Sequence, residues 1–153
     1  MQFEEFIDIQ LTEDRRAFIV HFPAKSGKTA FVKKFSEIQS GVILLDLQEW
    51  LLALDEIDDI SLIDFDKLEE LLLGINEKES VIIIDNCDVL FNTWKDSEKK
   101  KLIAWLKVGL RSPGVTTNTF VFVIQTDPYF VNVKLKNSHG FSRILALDVF
   151  TAI

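Results

Sequence analysis

Ala17-Phe18-Ile19-Val20-His21-Phe22-Pro23-Ala24-Lys25-Ser26-Gly27-Lys28-Thr29 passes from an apolar, β-branched and aromatic stretch into a short loop that ends Gly-Lys-Thr. A strand that hands the chain to a helix through such a loop is the setting a phosphate-cradling loop requires. The chemistry asks for backbone N–H groups curled around a phosphate and a glycine whose missing Cβ permits that approach. It also asks for a lysine to meet the β- and γ-phosphate charge and a hydroxyl for Mg²⁺. Gly27, Lys28 and Thr29 supply the last three, and Pro23, Ala24, Lys25 and Ser26 complete the cradle. The pattern G-x-x-x-x-G-K-[ST] has glycine where this chain has Phe22, so the loop departs from it at the first position. The plainer reading is a glycine that turns the chain and a lysine solvated at a helix start. A lysine in the first turn opposes the helix dipole, however, and an anion bound there accounts for it better than solvent does.

Working outward, four further strand-length runs appear: Val42 to Leu47, Val81 to Asp85, Thr119 to Gln125 and Ile144 to Asp148. They are apolar throughout rather than alternating, which is the pattern of strands covered on both faces in a parallel sheet. Helix-like segments separate them. Lys28 to Ile38 places Phe31, Phe35 and Ile38 on one face. Asp64 is a plausible cap for Phe65 to Leu73, with Gly74 in the stop position that favours a left-handed residue. Asp96 and Ser97 open a helix running to about Leu110. The alternation predicts a three-layer α/β domain. The first sixteen residues read equally as a short helix or an edge strand.

Val81-Ile82-Ile83-Ile84-Asp85 is four aliphatics ending in a carboxylate, the way a buried strand delivers an aspartate to a phosphate-bound Mg²⁺. Alone it reads just as well as a strand stop. With the loop it makes a pair, so Thr29 and Asp85 are the expected metal ligands and the expected ligand is a nucleoside triphosphate with Mg²⁺.

The bulk composition narrows the rest. With 153 residues and 48% apolar content the chain suits one domain, residues 1–153. A formal charge of -7 repels nucleic acid, so DNA contact is not indicated by net charge, although a local basic patch is compatible with it. The single cysteine, Cys87, excludes an intrachain disulfide framework, and the start Met1-Gln2-Phe3-Glu4-Glu5 lacks a secretory signal, so the cytoplasm is the expected compartment. No apolar run approaches the roughly 18 residues of a membrane span. His21, His139 and Cys87 match no metal-site spacing. Lys99-Lys100-Lys101 reads as a solvated helix face. Thirteen phenylalanines in so small a chain hint at a protein-binding face.

The run Gln125-Thr126-Asp127-Pro128 puts polar side chains at the carboxyl end of a buried strand, and Gly140-Phe141-Ser142-Arg143 precedes the last strand. With the loop and Asp85, these resemble AAA+ ATPases, within the additional-strand class of P-loop NTPases, from about Ala17 to Asp148. The resemblance implies a P-loop NTPase fold with a parallel five-stranded sheet of order 5-1-4-3-2. It implies that Asp127 senses the γ-phosphate and that Arg143, with Arg111 as the substitute, reaches a neighbour's nucleotide in a homo-oligomer. In that class the residue after the strand aspartate is often a glutamate that polarises water. Asn86 stands there and cannot accept a proton, which leaves Asp88 as the nearest carboxylate, or as a helix cap. The chain stops at Ile153, where most AAA+ cores continue into a helical lid with a second sensor arginine. A lidless core of this size is similar to the BrxF family, small P-loop ATPases of type III BREX bacteriophage-exclusion systems, which implies larger defence-system proteins as partners. The expected function is Mg-ATP binding with slow, assembly-dependent hydrolysis. The alternative is a non-hydrolysing nucleotide switch that scaffolds partners.

Overall fold

The computed structural model describes residues 1–23, 30, 31, 33, 37 and 40–150. The five apolar runs are strands: β1 (Phe18–Phe22), β2 (Val42–Asp46), β3 (Val81–Asp85), β4 (Thr119–Gln125) and β5 (Ile144–Ala146). All pair in parallel in the order β2-β3-β4-β1-β5. Read from the other edge this is the expected 5-1-4-3-2, with β4 inserted between β1 and β3. The register aligns Phe22 with Gln125, Asp46 with Asp85 and Ile84 with Phe122, so β2 and β3 end together about two residues before β1 and β4 do.

Side chains alternate along each strand, and the two resulting faces carry separate cores. On one face Ile19, Ile82, Ile84, Phe120, Phe122 and Ile124 pack under Leu51, Leu68, Leu72 and Leu102. These come from α2 (Leu47–Leu52), α3 (Phe65–Leu73) and α5 (Asp96–Ala104), with the single-turn α4 (Asp88–Phe91) beside them. On the other face Phe18, Val20, Ile83, Val121 and Val123 pack against Phe3, Phe6 and Ile7 of α1 (Phe3–Gln10), against Phe150, and against Phe31. That is the three-layer α/β arrangement. The first sixteen residues resolve as a helix because Phe3, Phe6, Ile7 and Gln10 share one buried face.

Local chemistry sets the element ends. Asp46 Oδ1 accepts from Glu49 N at 3.0 Å to cap α2, and Asp64 Oδ1 accepts from Lys67 N at 2.9 Å to cap α3 as expected. Three expectations are corrected. Gly74 closes α3 with φ −82°, a right-handed stop, so its conformational freedom is not used there. The helix after Asp96 is α-helical only to Ala104 and then widens into a π turn over Trp105–Gly109, closed by Leu110 N to Trp105 O at 2.7 Å. A Cβ on Gly109 would lie 3.1 Å from Trp105 Cδ1, so glycine makes room for that ring. Finally, β5 ends at Ala146 and a 3₁₀ turn, Leu147–Val149, follows.

Ten of the thirteen phenylalanines are buried, and among the described residues Phe141 alone is exposed, at 40%. The expected phenylalanine-rich surface is therefore absent from the described residues; two cores, rather than one, absorb the rings. None of the helices among the described residues is long and apolar enough to cross a membrane.

Candidate functional site

At the carboxyl edge of the sheet β1 ends with Phe22 and the chain leaves through exposed Pro23. Ala24, Lys25, Ser26, Gly27, Lys28 and Thr29 lie outside the described residues, as do Phe35 and Ile38. Phe31, just beyond the loop, is helical and sets its ring 5.6 Å from that of Phe3 on the α1 face of the sheet. Two strands away, Asp85 ends β3 and is only 3% exposed. It continues the alternating row of Val81 and Ile83, the row that belongs to the same core as Phe31. The end of β1 and Asp85 thus lie toward the same sheet edge, and Phe31 and Asp85 toward the same sheet face.

Asn86 follows in the left-handed region, φ 58°, which asparagine tolerates better than most residues. Its Nδ2 donates to Asp46 Oδ2, the carboxylate that ends β2 and caps α2 with its other oxygen. The polar position after Asp85 is thereby bound to the neighbouring strand end. Asp88 is not the expected cap but the first residue of α4. Cys87 is the N-cap residue of α4, and Asp88 Oδ1 accepts from Gln125 N at 2.8 Å, joining the ends of β3 and β4.

Asp127, the expected γ-phosphate sensor, is engaged by neighbouring helices. Asp127 Oδ1 accepts from Tyr129 N at 2.9 Å, capping the one-turn α6 (Pro128–Val131), and Oδ2 pairs with Lys99 Nζ at 2.8 Å. Both oxygens are thus engaged with α5 and α6. Thr126 instead sits against the end of β1: its N–H donates to Phe22 O at 2.9 Å, and its Oγ1 lies 3.1 Å from His21 Nδ1. Burial pushes the His21 imidazole below its ordinary pKa, with the Asp148 carboxylate opposing. The polar side chains that meet at the end of β1 are therefore His21 and Thr126. No sequence signal singled out Thr126: the register, which pairs Phe22 with Gln125, brings the residue after Gln125 beside the end of β1.

Arg143 is corrected most sharply. It is 2% exposed, and Nε and Nη2 donate to Ala17 O at 3.0 and 2.8 Å while Nη2 also reaches Leu106 O at 2.7 Å. A guanidinium held by its own chain is not presented to a neighbour's phosphate. It sits just before β5, at the amino edge of the sheet, and satisfies carbonyls that the π turn and the entry to β1 leave over. Burial lowers its pKa to about 10, so it stays charged at neutral pH. Arg111, the substitute, is exposed.

A cavity of about 480 Å³ adjoins Pro23, walled by Phe22, Phe31, Leu147 and Phe150 with His21 and Asp148 at its polar side. That size suits a nucleoside. Mg²⁺ usually takes one or two carboxylates, waters and phosphate oxygens, so a single buried carboxylate such as Asp85 fits the donor set it needs from the protein. Among the described residues no cluster of three or more His, Cys, Asp or Glu is placed to hold a metal by itself. Compared with protein-family models, with curated proteins and with solved structures, the chain finds no match.

Proposed function

We propose that the chain binds a nucleoside triphosphate, ATP by the resemblance stated above, together with Mg²⁺ at the carboxyl edge of β1, β4 and β3. The observation that carries this is the buried Asp85 at the carboxyl end of β3, two strands from the end of β1 and on the sheet face that carries Phe31. Ligands of open α/β sheets bind at such an edge. In this reading Lys28 meets the β- and γ-phosphates, Thr29 and Asp85 hold the cation, and the 480 Å³ cavity beside Pro23 receives the base and sugar. The cation, when bound, neutralises charge on the phosphate tail.

Turnover is slow in this reading, because Asn86 offers no proton acceptor and its amide is spent on Asp46. The same observation favours a second reading, a nucleotide-bound switch that acts through partners without appreciable hydrolysis. Arg111, exposed, is the arginine left to act across an interface of a homo-oligomer. The resemblance to BrxF adds larger defence-system proteins as partners.

Calorimetric titration with Mg-ATP tests the site. Wild type binds, and Lys28→Ala loses at least tenfold in affinity with an unchanged circular dichroism spectrum; undiminished affinity in that variant contradicts the assignment. Phosphate release measured at saturating ATP then separates the slow ATPase from the switch.

A further inference from the structure

The opposite edge of the sheet carries a groove of a different character. Residues Arg15, Lys107, Lys134 and Lys136 surround a cavity of about 350 Å³ with Arg143 also lining it. Its acidic lining is Glu13 and Asp14. Five cations against two carboxylates give the groove a net +3, within a chain whose formal charge is -7. The rest of the molecule therefore carries -10, and the basic groups are concentrated rather than interspersed.

Three observations distinguish this groove from an ordinary solvated surface. Lys107, Lys134 and Lys136 are exposed and make no ion pair among the described residues. Glu13, the nearest carboxylate, is occupied: both its oxygens accept from Ser138, one from the backbone N–H and one from the hydroxyl. And Arg143, 2% exposed and held by Ala17 and Leu106, adds a fixed positive charge beneath the groove, leaving Arg15 as the guanidinium at its surface. Guanidinium donors in a concave, cation-lined site match phosphate oxygens.

The arrangement of the lysines selects among phosphates. Lys134 and Lys136, both exposed and the latter in an antiparallel bridge with Ser142, flank Leu135, which is 4% exposed. Their Cα atoms are about 7 Å apart at strand rise, which lets each meet a different phosphate. Arg15 enters from the segment before β1, where its Nε also donates to Val108 O at 3.2 Å, and Lys107 enters from the π turn. The cations are thus distributed along a groove rather than gathered at one point.

We infer that this groove binds the phosphate backbone of a nucleic-acid strand. The surrounding negative charge makes the contact short-ranged and strongly dependent on salt. The groove lies at the amino ends of β1 and β5, so it is separate from the proposed nucleotide site and does not depend on it.

Fluorescence anisotropy of a labelled 20-nucleotide single-stranded DNA, read from 50 to 200 mM salt, provides the test. Wild type binds at low salt and weakens as salt rises. Lys134→Glu/Lys136→Glu, both exposed positions, weakens binding at least tenfold at 50 mM salt, and Lys134→Gln/Lys136→Gln lowers the slope of log K against log salt by about 1.4, two contacts at about 0.7 each for single strands. Affinity for Mg-ATP is the same in these variants. Absence of binding at 50 mM salt, or binding indifferent to both substitutions, overturns the inference. So does displacement of the DNA by polyglutamate as effectively as by unlabelled DNA, which would indicate an acidic polypeptide. Inorganic phosphate competing at the same concentration of phosphate groups as DNA would likewise overturn it, in favour of a small phosphate compound.

Discussion

Arg143 carries a full charge into a site 2% exposed, and the three hydrogen bonds it donates to Ala17 and Leu106 carbonyls tie the start of β1 to the π turn and to β5. Removing it leaves two carbonyls short of a donor in a buried place, and each such loss costs about 1–3 kcal/mol. Arg143→Ala should therefore lower the unfolding free energy by about 2–4 kcal/mol in urea denaturation. Arg143→Lys recovers only part of this, because an ammonium lacks the fork that reaches both carbonyls. An unchanged urea midpoint for Arg143→Ala would show that the guanidinium does not anchor these segments. From sequence, Ser-Arg before a strand reads as an interface motif. What the sequence could not show is that the π turn ends beside it with carbonyls to satisfy.

Among the elements, α6 is one turn long and depends on its first residue. Asp127 caps it, Pro128 occupies the first helical position, and the Asp127–Lys99 pair fastens it to α5, with Lys99 Nζ 5.8 Å from the Phe130 ring centroid. Asp127→Ala is expected to lower stability by about 1–2 kcal/mol, the cost of a cap and a half-buried ion pair, while leaving Mg-ATP affinity within twofold. Asp127→Asn keeps the capping oxygen and costs less. A large loss of ATP affinity without loss of stability would restore Asp127 to the phosphate site. The five strands were legible because their apolar runs do not alternate, and a parallel sheet buried on both faces needs that pattern. The helix ends were less so. Gly74 stops α3 without a left-handed turn, and the π turn depends on how Trp105 packs over Gly109, a tertiary contact with no local signature. For α1 the short segment allowed both periods, and the shared burial of Phe3, Phe6, Ile7 and Gln10 decided it.

Across the whole molecule the sheet separates two chemistries. Its carboxyl edge gathers Asp46, Asp85, Asn86, Asp88 and Thr126 beside the chain leaving β1, while its amino edge gathers Arg15, Lys134, Lys136 and Arg143. A five-residue strand such as β1 separates them by about 16 Å. The end of β3 at Asp85 was readable because a strand-ending aspartate after four aliphatics is a local pattern. The links from Asp46 to Asn86 and from Asp88 to Gln125 join segments about 40 residues apart, and only the sheet register brings them together. The most direct measurement is paramagnetic broadening in the amide NMR spectrum on adding ATP with Mn²⁺ in place of Mg²⁺. The account predicts the strongest broadening at Asp85, Asn86, Gln125 and Thr126, with Arg15, Lys134 and Lys136 least affected. Broadening centred on the amino edge, or none at saturating ATP, would contradict it.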